Sequence, residues 1–426
     1  MKLENYFFII IFSISFSVNA QKVNSSFTKI DERLKFDYKL KKQIVEENLS
    51  FTLNKENEEK WLEAFWGARF GLLKNDLVRS SITSALMYFE NASLEFQRSL
   101  LETIYTLYPL ELEAEIMQIA KETVNPKIFA MVLNYLYRGQ FISLDDASYL
   151  LKSKFNNWEE NPILFTLHSS LTKKDEEAKP PLVDLLSAPF EKNKIVIFSF
   201  QRKNRDYTGL AIVRNSDGTF ARDNFGNIFY IPQLARSLSN LPGYITNGNT
   251  PQGILSLQGI DTSKNIFIGT TPNIQTILPY ETDSYKYFHT GYDSTKKWDK
   301  YLYNNLLPHS WKNYDPIYEA YYAGKAGRTE IIAHGTTVNP EYYSGKPYYP
   351  NTPTLGCLCA KEIWDDEGNR VLSDQYALVQ TYRAAGNLNG FLVVVEIDNK
   401  NKPITIDEII LQILKSEKLL KERINN

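Results

Sequence analysis

One change of hydrophobic period divides this chain and limits the folds open to it. Before the stretch 173–181, KKDEEAKPP, apolar residues recur at helical spacing; beyond it they alternate or gather in short runs bounded by Gly, Asn, Asp and Pro. The charged, proline-closed stretch reads as a linker, taken as 173–185. With 426 residues the chain has room for two or three domains and sizeable cores. The expected class is α+β multidomain: an all-α, helical-repeat-like domain over 55–172, then a mostly-β domain over 186–400 and a C-terminal helix over 401–426.

Residues 1–20 have the layout of a signal peptide. Lys2 supplies the basic start, residues 7–18 the apolar run, and Val18, Asn19 and Ala20 a small-residue cleavage site. The run is short for a bilayer span and carries Ser13, Ser15 and Ser17. No cysteine lies near it, so a lipid-anchored lipoprotein is excluded. The expectation is an exported protein of the periplasm or cell envelope, soluble after cleavage, with a loose, polar segment over 21–54.

From Glu58 the helical period sets in, with Asn57 as a candidate cap. Trp61, Phe65, Ala68 and Leu72 form one stripe; Val78, Ile82, Ala85 and Phe89 repeat it after Asn75; Phe96, Leu100, Ile104 and Leu107 repeat it after Asn91. Asn125 before Pro126 is a cap followed by a proline in the first turn, and Ser143 with Asp146 reads as a capping box. Short helices recurring at this interval suggest stacked hairpins, as in an α-solenoid. This half carries no chemical constellation, and its expected role is scaffold or docking surface, including for an envelope partner protein.

Past the linker, residues 194–200 (KIVIFSF) and 207–213 read as strands, followed by turns at 216–218 and 224–227. Residues 228–231, 253–258 and 265–268 continue the strands, giving a sandwich or partly closed barrel. Residues 373–385 look helical, 391–397 (FLVVVEI) form a last buried strand, and 403–408 cap the C-terminal helix. His289 and His309, in an aromatic and irregular stretch, and His168, in the helical half, are expected to be structural.

The chemistry concentrates in residues 331–364. They hold His334, one of four histidines, and Cys357 and Cys359, the only cysteines. An apolar run ending in Ala333 delivers His334 at a strand end, and Gly356 precedes Cys357. A strand-end histidine and a glycine-preceded cysteine are the parts of a thiol nucleophile with its base. Glycine permits close approach of backbone to substrate, and amides around the cysteine can face an oxyanion. Cys357 and Cys359 are too close in sequence for an unstrained bridge, and a zinc site of His334 with both thiols lacks a fourth ligand.

His334-Gly335-Thr336 followed by Thr354-Leu355-Gly356-Cys357 resembles the catalytic motif of the L,D-transpeptidase (YkuD-type) family, H-G-T then [S/T]-H-G-C-[I/V]-R. Residues 248–257 (GNTPQGILSL) resemble the threonine-proline-x-glycine strand that precedes that motif in the family. The resemblance covers roughly residues 190–397. It implies a β-rich catalytic domain whose cysteine takes the acyl group of a peptidoglycan stem peptide and passes it to an amine, without metal or organic cofactor. Cys357 would be the nucleophile, His334 its base, and the Gly335 carbonyl the group orienting the imidazole. The amides of Leu355, Gly356 and Cys357 would form the oxyanion hole, and Thr354 and Thr336 would contact substrate. Two positions depart from the pattern. Leu355 replaces the family histidine and Cys359 the basic residue, for which Lys361 or Arg383 would substitute. The interval between His334 and Cys357 is also long, and residues 342–350 look like an inserted flap.

Two other readings fit parts of the sequence. One is a caspase-like or gingipain-like cysteine peptidase, which would require alternating β and α elements around the site. The other is a catalytically inactive envelope scaffold. Transfer of the acyl group to water would make the protein a carboxypeptidase. A net charge of −2 without a basic block excludes nucleic acid as an expected partner.

Overall fold

The computed structural model describes residues 23–172, 179–191, 193–291 and 297–425. The segment 1–20, expected to be a signal peptide, and most of the charged stretch, at 173–178, lie outside the described residues. An N-terminal helical region is followed by a mostly-sheet region, as the change of period predicts.

The helical region contains α1 (Ile30–Tyr38), α2 (Glu58–Phe70), α3 (Asp76–Tyr88), α4 (Leu94–Leu107), α5 (Glu113–Glu122), α6 (Pro126–Arg138), α7 (Leu144–Lys154) and α8 (Pro162–Thr172). Side-chain caps start several of them. The Asn75 side chain accepts from the Val78 amide, Asn125 from Lys127 and Ile128, and Ser143 from Asp146. The cap before α4 is Ser93 rather than Asn91, and Asn57 makes no side-chain cap bond. The predicted stripes are buried, from Trp61, Phe65 and Ala68 through Phe96, Leu100 and Ile104. Leu72 falls past the end of α2, in a left-handed conformation. The even-numbered helices α2, α4, α6 and α8 pack each on the next, with α3 on α4, α5 on α6, and α7 on α6 and α8. This is the layered stacking of helical hairpins.

The segment expected to be loose is ordered. α1 runs directly into a π-type helix at Lys39–Glu47, which buries Leu40 and Val45. Its polar composition hid this: α1 itself buries no residue. Upstream of α1, the Ser25 amide donates to the Gly368 carbonyl, and the Arg370 amide donates to Val23. The N-terminal stretch therefore lies on the sheet region.

The strands are β1 (Ile195–Arg202), β2 (Gly209–Arg214), β3 (Tyr230–Gln233), β4 (Gly253–Asp261), β5 (Asn273–Ile277), β6 (Ile332–His334), β7 (Leu358–Cys359), β8 (Glu362–Trp364), β9 (Arg370–Ser373) and β10 (Asn389–Asp398). Eight form one sheet in the order β3-β2-β1-β10-β4-β5-β6-β7, and β8 and β9 form a separate ribbon. Only β1–β10 and β6–β7 are parallel pairs in the large sheet. Its ends meet: Leu234, just past β3, exchanges two 2.8 Å backbone hydrogen bonds with Cys359 on β7. The sheet thus curls into a near-barrel. Residues 265–268, expected as a strand, are instead a turn tied by hydrogen bonds from the Ile268 and Gly269 amides to the Asn265 carbonyl.

Alternation along the strands separates two cores. Ile195 and Ile197 of β1 join Ala211, Val213, Leu255, Leu392 and Val394 on one face, against the helix Asp374–Ala384. Val196, Phe198 and Phe200 join the other, against the helix Leu182–Leu186, Tyr287 and Phe288, buried residues of 303–321, and the C-terminal helix Ile410–Asn425. The end of the expected linker is therefore part of the core, with Leu185 and Leu186 buried. Thr405 and Glu408 form the reciprocal capping box before the C-terminal helix.

The two regions share packing. α8 lies against the helix Glu319–Lys325, and Leu241, Tyr244, Ile245 and Ala323 belong to the core of the helical region. Among the described residues, no helix is long and apolar enough to cross a membrane.

Candidate active site

β6 and β7 lie side by side and parallel, with Ala333 opposite Leu358 and His334 opposite Cys359. Ala333 and Leu358 both enter the core packed on the helix Asp374–Ala384, so by alternation His334 and Cys359 share the opposite face, with Cys357 in the turn that enters β7. A strand spacing of about 4.8 Å and a two-residue offset of about 6.6 Å put the Cα atoms of His334 and Cys357 roughly 8 Å apart. That is within reach of an imidazole and a thiol turned toward a common substrate atom.

His334 is buried, and its Nδ1–H donates to the Gly335 carbonyl at 2.5 Å. This fixes the tautomer and leaves Nε2 as the basic nitrogen. Burial lowers its pKa, with the Gly335 bond opposing, so the imidazole is neutral at pH 7. Burial raises the Cys357 thiol, while the Ile332 backbone and Arg328 favour the thiolate and Glu330 opposes it. The thiol donates to the Glu330 carbonyl at 3.5 Å. At rest the imidazole is neutral and the thiol is turned to the Glu330 carbonyl, so proton transfer between them requires the thiol to rotate toward His334.

The turn carrying Cys357 is built from both sequence motifs. Thr354 Oγ1 accepts from the Gly356 amide at 3.0 Å and donates to the Cys357 carbonyl at 2.9 Å. Thr250 Oγ1, from the segment before β4, donates to the Gly356 carbonyl at 2.8 Å. Gly356 has φ +116°, and a Cβ there would collide with the Gly248 carbonyl and Arg328 Nη2. Only glycine fits on both counts. Since the Gly356 amide is spent on Thr354, the amides left for an oxyanion are those of Leu355 and Cys357. The Leu355 side chain is 49% exposed, the position of a group that meets substrate or solvent.

The loop after His334 is held from beneath by Glu362. Its buried carboxylate accepts from Thr271 Oγ1 at 2.6 Å, Ser373 Oγ at 2.5 Å and the Thr336 amide at 3.0 Å, with Arg370 Nη1 at 3.9 Å. A Cβ on Gly335 would run into this carboxylate, which explains that glycine. Thr336 Oγ1 accepts from the Val338 amide and from Thr352 Oγ1, so the residue is engaged inside the protein rather than free for substrate. Thr354 is similarly engaged.

Cys359 is buried, its Sγ lies 3.6 Å from Thr352 Oγ1, and burial pushes its thiol up to about 12. Its backbone closes the near-barrel, a structural place that distinguishes it from Cys357. Neither cysteine is in a disulfide, and among the described residues no group of three or more His, Cys, Asp or Glu is gathered as a metal site. Neither residue expected to replace the motif's cation reaches the thiol by any recorded contact. Lys361 lies 4.0 Å from Asp374, and Arg383 is exposed in the last turn of its helix. The cation that faces Cys357 is Arg328, which is buried and precedes β6. Arg328 and Glu362 were the residues missed. No local sequence signal marked either, since Arg328 lies four residues before β6 and Glu362 opens the separate ribbon β8.

Residues 342–350, expected to be an inserted flap, are anchored at their start. Tyr343 is buried and donates to the Phe70 carbonyl at 3.2 Å, and Tyr342 meets the Phe70 ring edge-on at 5.5 Å. Phe27, Phe36, Trp66 and Phe70 of the N-terminal region surround Phe267, whose carbonyl accepts from the Thr337 amide at 3.1 Å. The loop following the histidine motif is therefore braced by the helical region. His289 bonds Ser256 and Gly390, and His168 packs at a tilt against Trp158, ring centroids 4.2 Å apart. Compared with protein-family models, curated proteins and solved structures, the chain has no match.

Proposed function

We propose that this protein is an exported L,D-transpeptidase with a cysteine nucleophile, acting on peptidoglycan stem peptides. The observation that carries the reading is the pairing of β6 with β7. It brings the strand ending in a histidine of fixed tautomer alongside the strand entered by a glycine-preceded thiol, which supports the reading. The meeting of the 248–253 segment with the 354–357 turn adds to it, because the two motifs behind the resemblance are in direct contact.

In this reading Cys357 Sγ attacks the carbonyl of the bond to the terminal D-amino acid, and its proton passes to His334 Nε2. The oxyanion is met by the Leu355 and Cys357 amides. The C–N bond breaks, the D-amino acid leaves with the proton from His334, and a thioester remains on Cys357. An amine of a second stem then attacks the thioester and releases the thiol; attack by water instead gives a trimmed stem. The Gly335 carbonyl holds the imidazole through both halves.

The rival peptidase reading requires a doubly wound parallel sheet, whereas this sheet is mostly antiparallel and nearly closed. The scaffold reading leaves unexplained why a free cysteine and a buried neutral histidine are kept on adjacent strand ends. Incubation with disaccharide-tetrapeptides tests the proposal. Cross-linked dimers or tripeptide stems, dependent on Cys357, are expected; neither product from folded, reduced protein would reject it.

A further inference from the structure

We propose that Arg328 is a positioning residue for Cys357: a buried cation that clamps the loop behind the thiol's turn and holds positive charge where the thiolate forms. The inference rests on the reading of Cys357 as the nucleophile and deepens it. Arg328 is 3% exposed. Its Nη1 donates to the Gly243 carbonyl and, at 2.7 Å, to that of Asn249; its Nη2 donates to Gly248 at 2.6 Å. The same Nη2 occupies the space that a side chain on Gly356 would need. One guanidinium thus ties the 243–249 loop to the residue just before the nucleophile.

Every recorded hydrogen bond from Arg328 is to a neutral carbonyl, and among the described residues no carboxylate lies within ion-pair distance of it. A buried cation without a carboxylate in direct contact is costly to keep, and a protein that keeps one has a use for its charge. Two anions act on it beyond contact distance, Glu319 first and the Cys357 thiolate second, and of the two it is Cys357 whose turn the guanidinium touches through the space at Gly356. The surrounding charged and titratable groups are few. Glu319 faces Arg328 from the helix Glu319–Lys325, and Glu396 and Arg205 act on Glu319 from behind. Glu330 flanks the thiol on the chain entering β6, His334 lies on β6, and Cys359 is two residues on. Among the described residues, Arg328 is the positive group acting directly on the thiol.

The test is the rate of Cys357 alkylation by iodoacetamide against pH, followed by peptide mass spectrometry in the full chain, for wild type, R328Q and R328K. The expected result for R328Q is a midpoint raised by about one pH unit, hence ~10-fold slower alkylation below the midpoint. R328K keeps the charge and is expected to stay within about 0.3 unit of wild type, although it cannot reproduce the clamp. A purely structural role would alter the limiting rate in both variants and leave the midpoint where it was. Folded R328Q with the wild-type midpoint would overturn the proposal. If R328Q does not fold, wild type carries the test. The ratio of its rates with anionic iodoacetate and neutral iodoacetamide should exceed that of a cysteine tripeptide by about threefold or more. A ratio at or below the tripeptide's would overturn the proposal. These readouts follow the thiol itself, so they stand or fall separately from any failure to find cross-linking activity.

Discussion

Gly335→Ala is the substitution whose cost follows most directly from the geometry. A Cβ at this position would lie 2.5 Å and 2.8 Å from the two Glu362 carboxylate oxygens, whereas ordinary contact begins near 3.4 Å. The carboxylate or the 335–337 backbone must therefore shift by about 0.9 Å (3.4 − 2.5). Glu362 cannot move freely, because Thr271, Ser373 and the Thr336 amide all bond to it. Overpacking of this kind costs about 1–3 kcal/mol. The shift also carries the Gly335 carbonyl that holds His334, and a misplacement near 1 Å lowers catalytic rates by about 10²-fold. Shortening the carboxylate with Glu362→Asp should relieve the collision. Urea denaturation of wild type, G335A, E362D and the double variant would then show the pair to be non-additive, with the double variant more stable than the summed losses by about 1 kcal/mol or more. Strict additivity, or a G335A protein as stable as wild type, would refute the argument.

Other expectations are more direct. Cys357→Ala should abolish acyl acceptance with little change in stability. Cys359→Ala should keep activity and lose about 1 kcal/mol, read by urea denaturation; equal loss of activity in both would point to a paired role for the thiols. His334→Ala should slow Cys357 alkylation near neutral pH, and an unchanged rate would remove His334 as its base. Burial lowers the pKa of His334, as it does for His168 and His289. The unfolded chain therefore binds protons first, and the stability these groups contribute is present above about pH 6.5 and lost as pH falls through their folded values. His334→Gln should narrow the Tm difference between pH 7.5 and pH 5.5; an unchanged difference would contradict the assignment. Deleting residues 23–172 exposes Leu241, Tyr244, Ile245 and Phe267 to water, so the sheet region alone should aggregate on size-exclusion chromatography.

Periodicity made much of this architecture legible. The stripes through Trp61, Val78 and Phe96, the strands at β1, β4 and β10, and the capped C-terminal helix were all readable, because each depends on local pattern and burial of one face. Residues 30–47 were not, since a helix with a mostly polar surface and two buried residues resembles a loose segment. Residues 265–268 alternate like a strand but turn at Asn265, where the side chain takes the Phe267 amide. At the site, His334, Gly335, Gly356 and Cys357 stood out because their types carry both chemistry and backbone constraint. Glu362 and Arg328 did not, because their roles depend on closure of the sheet and on which loops it brings together. The bracing of the 335–337 loop by Phe70 and Phe267 was equally hidden. Phe267 lies 70 residues from Thr337 (337 − 267) and Phe70 lies 273 from Tyr343, and nothing local marks either.

The most direct test of the account is intact-mass and peptide-mass analysis of the reduced protein after reaction with a carbapenem, an acylating probe of active cysteines. The account predicts one adduct per chain, located on Cys357, absent from Cys357→Ala and slowed in His334→Ala. No adduct on folded, reduced protein, or an adduct on Cys359 instead, would contradict the assignment of Cys357 as the nucleophile.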